Sequence, residues 1–213
     1  MPASRLHLVR HGEVFNPEGV LYEQLDGFHL SESGHLMAAE AAKELRSQGR
    51  EVKRLLASPL LRTQQSAKPI AESFGLEIET EPRVIEPWNK FKGLKVGLRA
   101  LLKRPSIALS LYNPGRPSWG EPFKEIASRM NEAALDAWNT TDSGDVVIVS
   151  HQLPIWMVYR SSQGLALPHD PRARRCSLSS ITSFEVVDGK LLEVSYSEPG
   201  LRVTKNPIDG GAV

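Results

Sequence analysis

A single cysteine, Cys176, stands in 213 residues, so the chain has neither an internal disulfide nor a multi-cysteine metal site. No apolar run approaches the roughly 20 residues needed to cross a bilayer, and the opening MPASRLHLVR lacks the apolar stretch of a secretory signal. Neither sign of charge prevails: 26 Lys and Arg face 25 Asp and Glu, which gives no whole-chain field for nucleic acid or a lipid surface. A His-Glu-x-x-His helix motif is missing, and so is a Gly-x-x-x-x-Gly-Lys-Ser/Thr phosphate loop. His7 and His11 lie four apart on a predicted strand, roughly 13 Å, too far to share one ion. No metal site and no cofactor are expected. With 40% hydrophobic and 24% charged residues, the expectation is a globular cytoplasmic protein, one domain over residues 1–213.

What is present alternates between strand and helix signals. Residues 6–10 alternate apolar and polar and meet Gly12, which predicts a strand ending in a turn. Residues 31–49 carry good helix formers, with Ser31 at the start and Gly49 at the stop. A second strand is predicted over 52–57, followed by Ser58-Pro59 as N-cap and first residue of a helix reaching about residue 75. A third strand is expected within 76–80. Helical character resumes over 123–138, residues 146–149 form an apolar β-branched run suited to a central strand, and Pro154 opens a helix to about residue 164. Residues 181–187 and 191–196 flank Asp188-Gly189, a two-residue hairpin signal. The pattern predicts an α/β three-layer sandwich with a mainly parallel central sheet and a terminal β-hairpin. Pro82, Pro87, Pro105, Pro114 and Pro117 break up residues 81–120, leaving only 94–104 helical, so about 87–121 is expected to be an inserted cap.

Ligands of open α/β sheets collect beyond the carboxyl ends of the strands. Three such ends carry reactive or cationic groups: Arg10-His11 after the first strand, Ser58 to Arg62 after the second, and Ser150-His151 after the apolar run. Helical side chains lean toward the helix N-terminus, so Arg62, expected one turn into its helix, should reach back over the strand end. Alone, each residue suits ordinary surface or turn chemistry. Together, two arginines, two histidines and helix N-termini around one crevice make an anion site whose fork geometry fits a phosphoryl group.

These segments also resemble a known family. Leu8-Val9-Arg10-His11-Gly12-Glu13 is similar to the signature of the histidine phosphatase superfamily, the phosphoglycerate mutase-like proteins. The stretch from Ser58 to Ala67, SPLLRTQQSA, resembles its second motif, Val147 to His151 its third, and Leu30-Ser31-Glu32-Ser33-Gly34 the segment before its first long helix. The resemblance implies that His11 is the nucleophile, that Arg10, Arg62 and His151 bind the phosphoryl group, and that Glu86 protonates the leaving group. Asn16 stands five residues after His11, where the family often has asparagine at six, and is the candidate for a further phosphoryl contact. The implied activity is metal-independent hydrolysis of a small phosphomonoester through a phosphohistidine. Two alternatives stand beside it: phosphoglycerate mutase-type transfer, and a catalytically silent module that binds a phosphorylated ligand.

The cap adds charge. Residues 88–116 hold seven basic residues and no acid; subtracting +7 from the total of +1 leaves −6 elsewhere. Lys95, Arg99 and Lys103 form a helical stripe, either a solvated face or a steering surface for a small anionic substrate. Leu94, Leu98, Leu101 and Leu102 occupy the other face, as core or as a homodimer contact. Sparse aromatics argue against nucleic acid as a partner, and no membrane partner is expected.

Overall fold

The computed structural model describes residues 2–90, 92–93, 120–204 and 208–209. The predicted cap helix 94–104, its basic stripe and its leucine face lie outside the described residues.

Six strands form one sheet: β1 (Arg5–Arg10), β2 (Val52–Ala57), β3 (Ile78–Thr80), β4 (Asp145–Ser150), β5 (Ile181–Val187) and β6 (Lys190–Ser197). Their order is β3-β2-β4-β1-β5-β6. The four on the β3 side run parallel, while β5 and β6 form the antiparallel hairpin at the other edge. That hairpin turns where the sequence placed it, with Asp188 and Gly189 both at positive φ (51° and 73°), as a primed turn demands.

Four helices of the described residues cover the two faces: α1 (Glu32–Ser47), α2 (Leu61–Phe74), α3 (Phe123–Thr140) and α4 (Gln152–Ser162). Period-two alternation divides the core between them. Val9, Leu55, Ala57, Val147 and Val149 face α1 and α2. Leu6, Leu8, Leu56, Val146 and Ile148 face α3 and α4. β4 is buried along all six residues, which is why its sequence is a nearly unbroken apolar run. His7, buried in β1, is held by Ser183 Oγ at 2.8 Å and Asp145 Oδ2 at 3.2 Å. It therefore belongs to the sheet and not to the crevice.

One local expectation is overturned. Ser58 does not cap α2, and Pro59 is not its first residue; the helix begins at Leu61, with Leu60 in the capping position and no side-chain cap bond. The Ser58 hydroxyl is engaged elsewhere, on His151. Arg62 is consequently the second residue of α2 rather than one turn in. Ser31 does cap α1, its Oγ accepting from Gly34 N. Register then aligns the parallel strand ends: Arg10 lies opposite Ser150, and Ala57 opposite Val149. His11, Ser58 and His151, each one residue further on, therefore emerge side by side.

Two glycines let the first strand's loop settle on α1. A Cβ on Gly12 would lie 2.4 Å from Gly34 O, and one on Gly34 would lie 2.0 Å from Glu13 O. Only hydrogen fits on either side of that contact.

Candidate active site

The hydrogen bond of His11 selects its tautomer. Its Nδ1 lies 2.8 Å from Gly12 O, an acceptor only, so Nδ1 carries the proton and Nε2 keeps its lone pair. Burial, with the charges of Arg62 and Arg10 behind it, pushes its pKa well below 6.5. A buried imidazole that stays neutral and presents one bare nitrogen has the form a nucleophile requires. The His151 ring stands edge-on to it, centroids 5.3 Å apart.

His151 is oriented from both sides. Its Nδ1 lies 3.2 Å from Arg62 NH2, an obligate donor, so Nδ1 accepts and Nε2–H donates to Ser58 Oγ at 2.8 Å. Burial and the neighbouring Arg62 depress its pKa well below 6.5. Glu86 Oε2 lies 3.3 Å from that same Nδ1. Beside an accepting nitrogen, a carboxylate would be repelled and a carboxylic acid would not. Consistently, burial raises the Glu86 pKa, against the pull of Arg62 and Arg10. Glu86 is positioned by Gln24 Nε2, which donates to its carbonyl at 2.5 Å, and by Ser150 Oγ, which donates to Val84 O at 2.7 Å.

Arg10 and Arg62 are each only 1% exposed. The Arg62 NH2 donates to Glu23 O at 2.6 Å, and its guanidinium stacks 4.8 Å from the Tyr22 ring centroid. Burial lowers its pKa from the ordinary arginine value. Burial also works against the Arg10 charge, but the Asp209 carboxylate outweighs it and raises that pKa. Among the described residues, both arginines keep a buried Nε–H without a hydrogen-bond partner. Buried donors are almost always satisfied, so two orphaned guanidinium N–H groups beside a bare imidazole nitrogen point to an oxyanion that completes them.

The structure thus gathers Arg10, His11, Arg62, Glu86 and His151. The Asn16 side chain is engaged locally: its Nδ2 donates to Val20 O at 2.9 Å and its Oδ1 accepts from Val20 N at 3.2 Å. Other residues of the cluster had no sequence signal. Tyr22 and Glu23 arrive on an irregular loop. The Glu23 carboxyl, 4% exposed, accepts from Asn89 N at 3.1 Å, and burial pushes its pKa up to about 7. Arg174, whose charge is felt by Glu86, is lowered to about 10 by burial. Residues 88 and 121 meet where Glu121 N donates to Trp88 O at 3.1 Å.

The model of the histidine phosphatase superfamily (branch 1) matches residues 6–198. The chain belongs to the histidine phosphatase superfamily. Among its relatives, the uncharacterized protein Rv0525 of Mycobacterium tuberculosis is 44% identical over 197 residues, 92% of this chain and 96% of that protein. A probable phosphoglycerate mutase, GpmB of Yersinia enterocolitica, is 34% identical over 83% of this chain and 84% of its own. The same fold occurs in mycobacterial glucosyl-3-phosphoglycerate phosphatase Rv2419c, with TM-score 0.70, 22% identity, and coverage of 90% and 96% of the two chains. Bacillus stearothermophilus YhfR gives TM-score 0.73 at 23% identity, over 89% and 95%. Within this histidine phosphatase fold, the His11 cluster sits at the carboxyl end of the parallel strands.

The buried histidines also make stability depend on pH. His7, His11 and His151 all have depressed pKa values in the folded chain. On unfolding they return to about 6.5 and take up protons below that value. Glu23 and Glu86, raised when folded, work in the opposite direction. Three depressed histidines outnumber the two raised carboxyls, so the unfolded chain takes up more protons and stability falls as pH drops below 6.5. Calorimetric melting across that range checks the sign: the midpoint falls with acidification.

Proposed function

We propose that this histidine phosphatase hydrolyses small phosphomonoesters without a metal, through a phosphohistidine on His11. The observation that carries the proposal is the bare His11 Nε2 beside the unpartnered Nε–H groups of Arg10 and Arg62. The His11 lone pair attacks phosphorus in line as the ester P–O bond breaks. The leaving alkoxide takes the proton of Glu86, giving free alcohol, Glu86 carboxylate and phosphohistidine. That carboxylate then deprotonates a water; hydroxide attacks phosphorus, the P–N bond breaks, and inorganic phosphate leaves with His11 neutral again. Charge building on the equatorial oxygens is met by Arg10 and Arg62. His151, neutral with Nδ1 on Arg62 and Nε2–H on Ser58, holds the Arg62 guanidinium in place for that contact.

Mutase-type transfer is the second reading, favoured by the likeness to a probable phosphoglycerate mutase. It uses the same first half-reaction but returns the phosphoryl group to a second hydroxyl. A panel of phosphorylated metabolites separates the two. Phosphate release from several monoesters, undiminished by excess chelator and without isomerisation of 3-phosphoglycerate, is the expected result. Isomerisation without net phosphate release would favour the mutase, and activity lost to chelator but restored by a divalent cation would remove the metal-free scheme.

A further inference from the structure

The fork of Arg10 already holds an anion supplied by the chain itself. Its NH1 donates to Asp209 Oδ2 at 2.8 Å, and its NH2 to Asp209 Oδ1 at 2.6 Å. This is the paired geometry by which a guanidinium takes two oxygens of a phosphoryl group. The NH1 also donates to Cys176 O at 2.7 Å, which fixes the guanidinium plane independently of Asp209. Next to Asp209, Ile208 N donates to Glu13 Oε2 at 2.8 Å, and Glu13 Oε1 accepts from Ser31 Oγ at 2.7 Å. The carboxylate is therefore delivered to Arg10 from a backbone pinned two residues beyond His11. Its charge is felt at Tyr22, Arg174 and Cys176 as well as at Arg10.

Among the described residues, the Arg10 fork and the neighbouring Ile208 N–Glu13 bond are what hold Asp209 there. Its side chain is 33% exposed and Ile208 is 72% exposed, so leaving the crevice uncovers almost no apolar surface. Removing it would, however, give Arg10 back the two terminal donors that a phosphoryl group needs.

We propose that Asp209 is an internal competitor for the phosphoryl site, a carboxylate that substrate and product must displace from Arg10 before they bind. The proposal rests on Arg10 being a phosphoryl ligand. It makes a distinctive prediction. When only a fraction of molecules has the site free, every ligand's apparent affinity is reduced by that same fraction, whatever its own strength. Removing the competitor must tighten all ligands by one common factor. A residue that merely positioned Arg10 would act with the opposite sign, since its loss would weaken them.

The test uses the full chain with Asp209→Asn and Asp209→Ala, and reads calorimetric dissociation constants for inorganic phosphate and orthovanadate. Because the side chain is partly exposed and lies outside the core, both variants should fold, which melting verifies. The expected result is tightening by about tenfold for both anions, in both variants, with Asp209→Glu close to the parent. Unchanged or weakened binding, or factors that differ between the two anions, would overturn the inference. Arg10→Ala separates that failure from failure of the site itself. If the parent binds phosphate and Arg10→Ala abolishes it, the phosphoryl site stands whatever Asp209 does. If the parent and both Asp209 variants bind neither anion, Arg10 is not a phosphoryl ligand and the competitor falls with it.

Discussion

His11→Ala is expected to lower turnover of every phosphomonoester by ~10⁴-fold or more, the scale on which enzymes lose rate when their nucleophile is deleted. The effect is large because the remaining groups cannot substitute for it. His151, the other imidazole in the crevice, has its Nδ1 on Arg62 and its Nε2–H on Ser58, so neither nitrogen is aimed outward with a lone pair. Arg10 and Arg62 bear no lone pair at all. The variant should still bind inorganic phosphate, because both guanidinium groups remain. The check is chemical: brief exposure of the parent to a phosphate-labelled substrate should leave acid-labile, base-stable label on the protein, and the variant should take up none. Label persisting in the variant would place the phosphorylated residue elsewhere, and turnover within tenfold of the parent would remove the covalent scheme.

Glu86→Gln should divide substrates by leaving group. With an aliphatic alcohol leaving, loss of the proton donor should cost about 10²–10⁴ in rate. With p-nitrophenol leaving, whose anion is stable without a proton, the first step should hardly change. Equal losses on both would take Glu86 out of the acid role. The pH profile gives a second readout. His11 stays neutral below its ordinary value of 6.5, so kcat/KM should hold as pH falls through that point. The alkaline limb reports deprotonation of Glu86, whose pKa is raised by burial, and should vanish in the glutamine variant.

The strands were legible because burial on two faces writes itself into composition, as the β-branched run Val146 to Val149 of the fully buried β4 does. The motif ends at Arg10, Ser58 and Ser150 followed from those strands, and parallel register then did the assembling. The start of α2 was misjudged for a specific reason. A serine before a proline offers its hydroxyl to a helix, but here the imidazole of His151 competes for it, and a competitor ninety residues away leaves no trace in the local sequence. The Asn16 carboxamide is likewise engaged locally, on the backbone of Val20. Arg174, Glu23 and Asp209 come from irregular segments without periodicity, and only three-dimensional proximity marks them.

The seam between Gly12 and Gly34 carries a practical corollary for anyone wishing to redesign the pocket. Backbone meets backbone there with nothing compressible in between, so the loop bearing His11 is bolted to the start of the long helix. Any bulkier residue at either position would act as a wedge, swinging His11 out of line with Arg62 while leaving every catalytic side chain chemically intact. Substrate preference is therefore better altered away from that seam, for example at Trp88, which is 48% exposed.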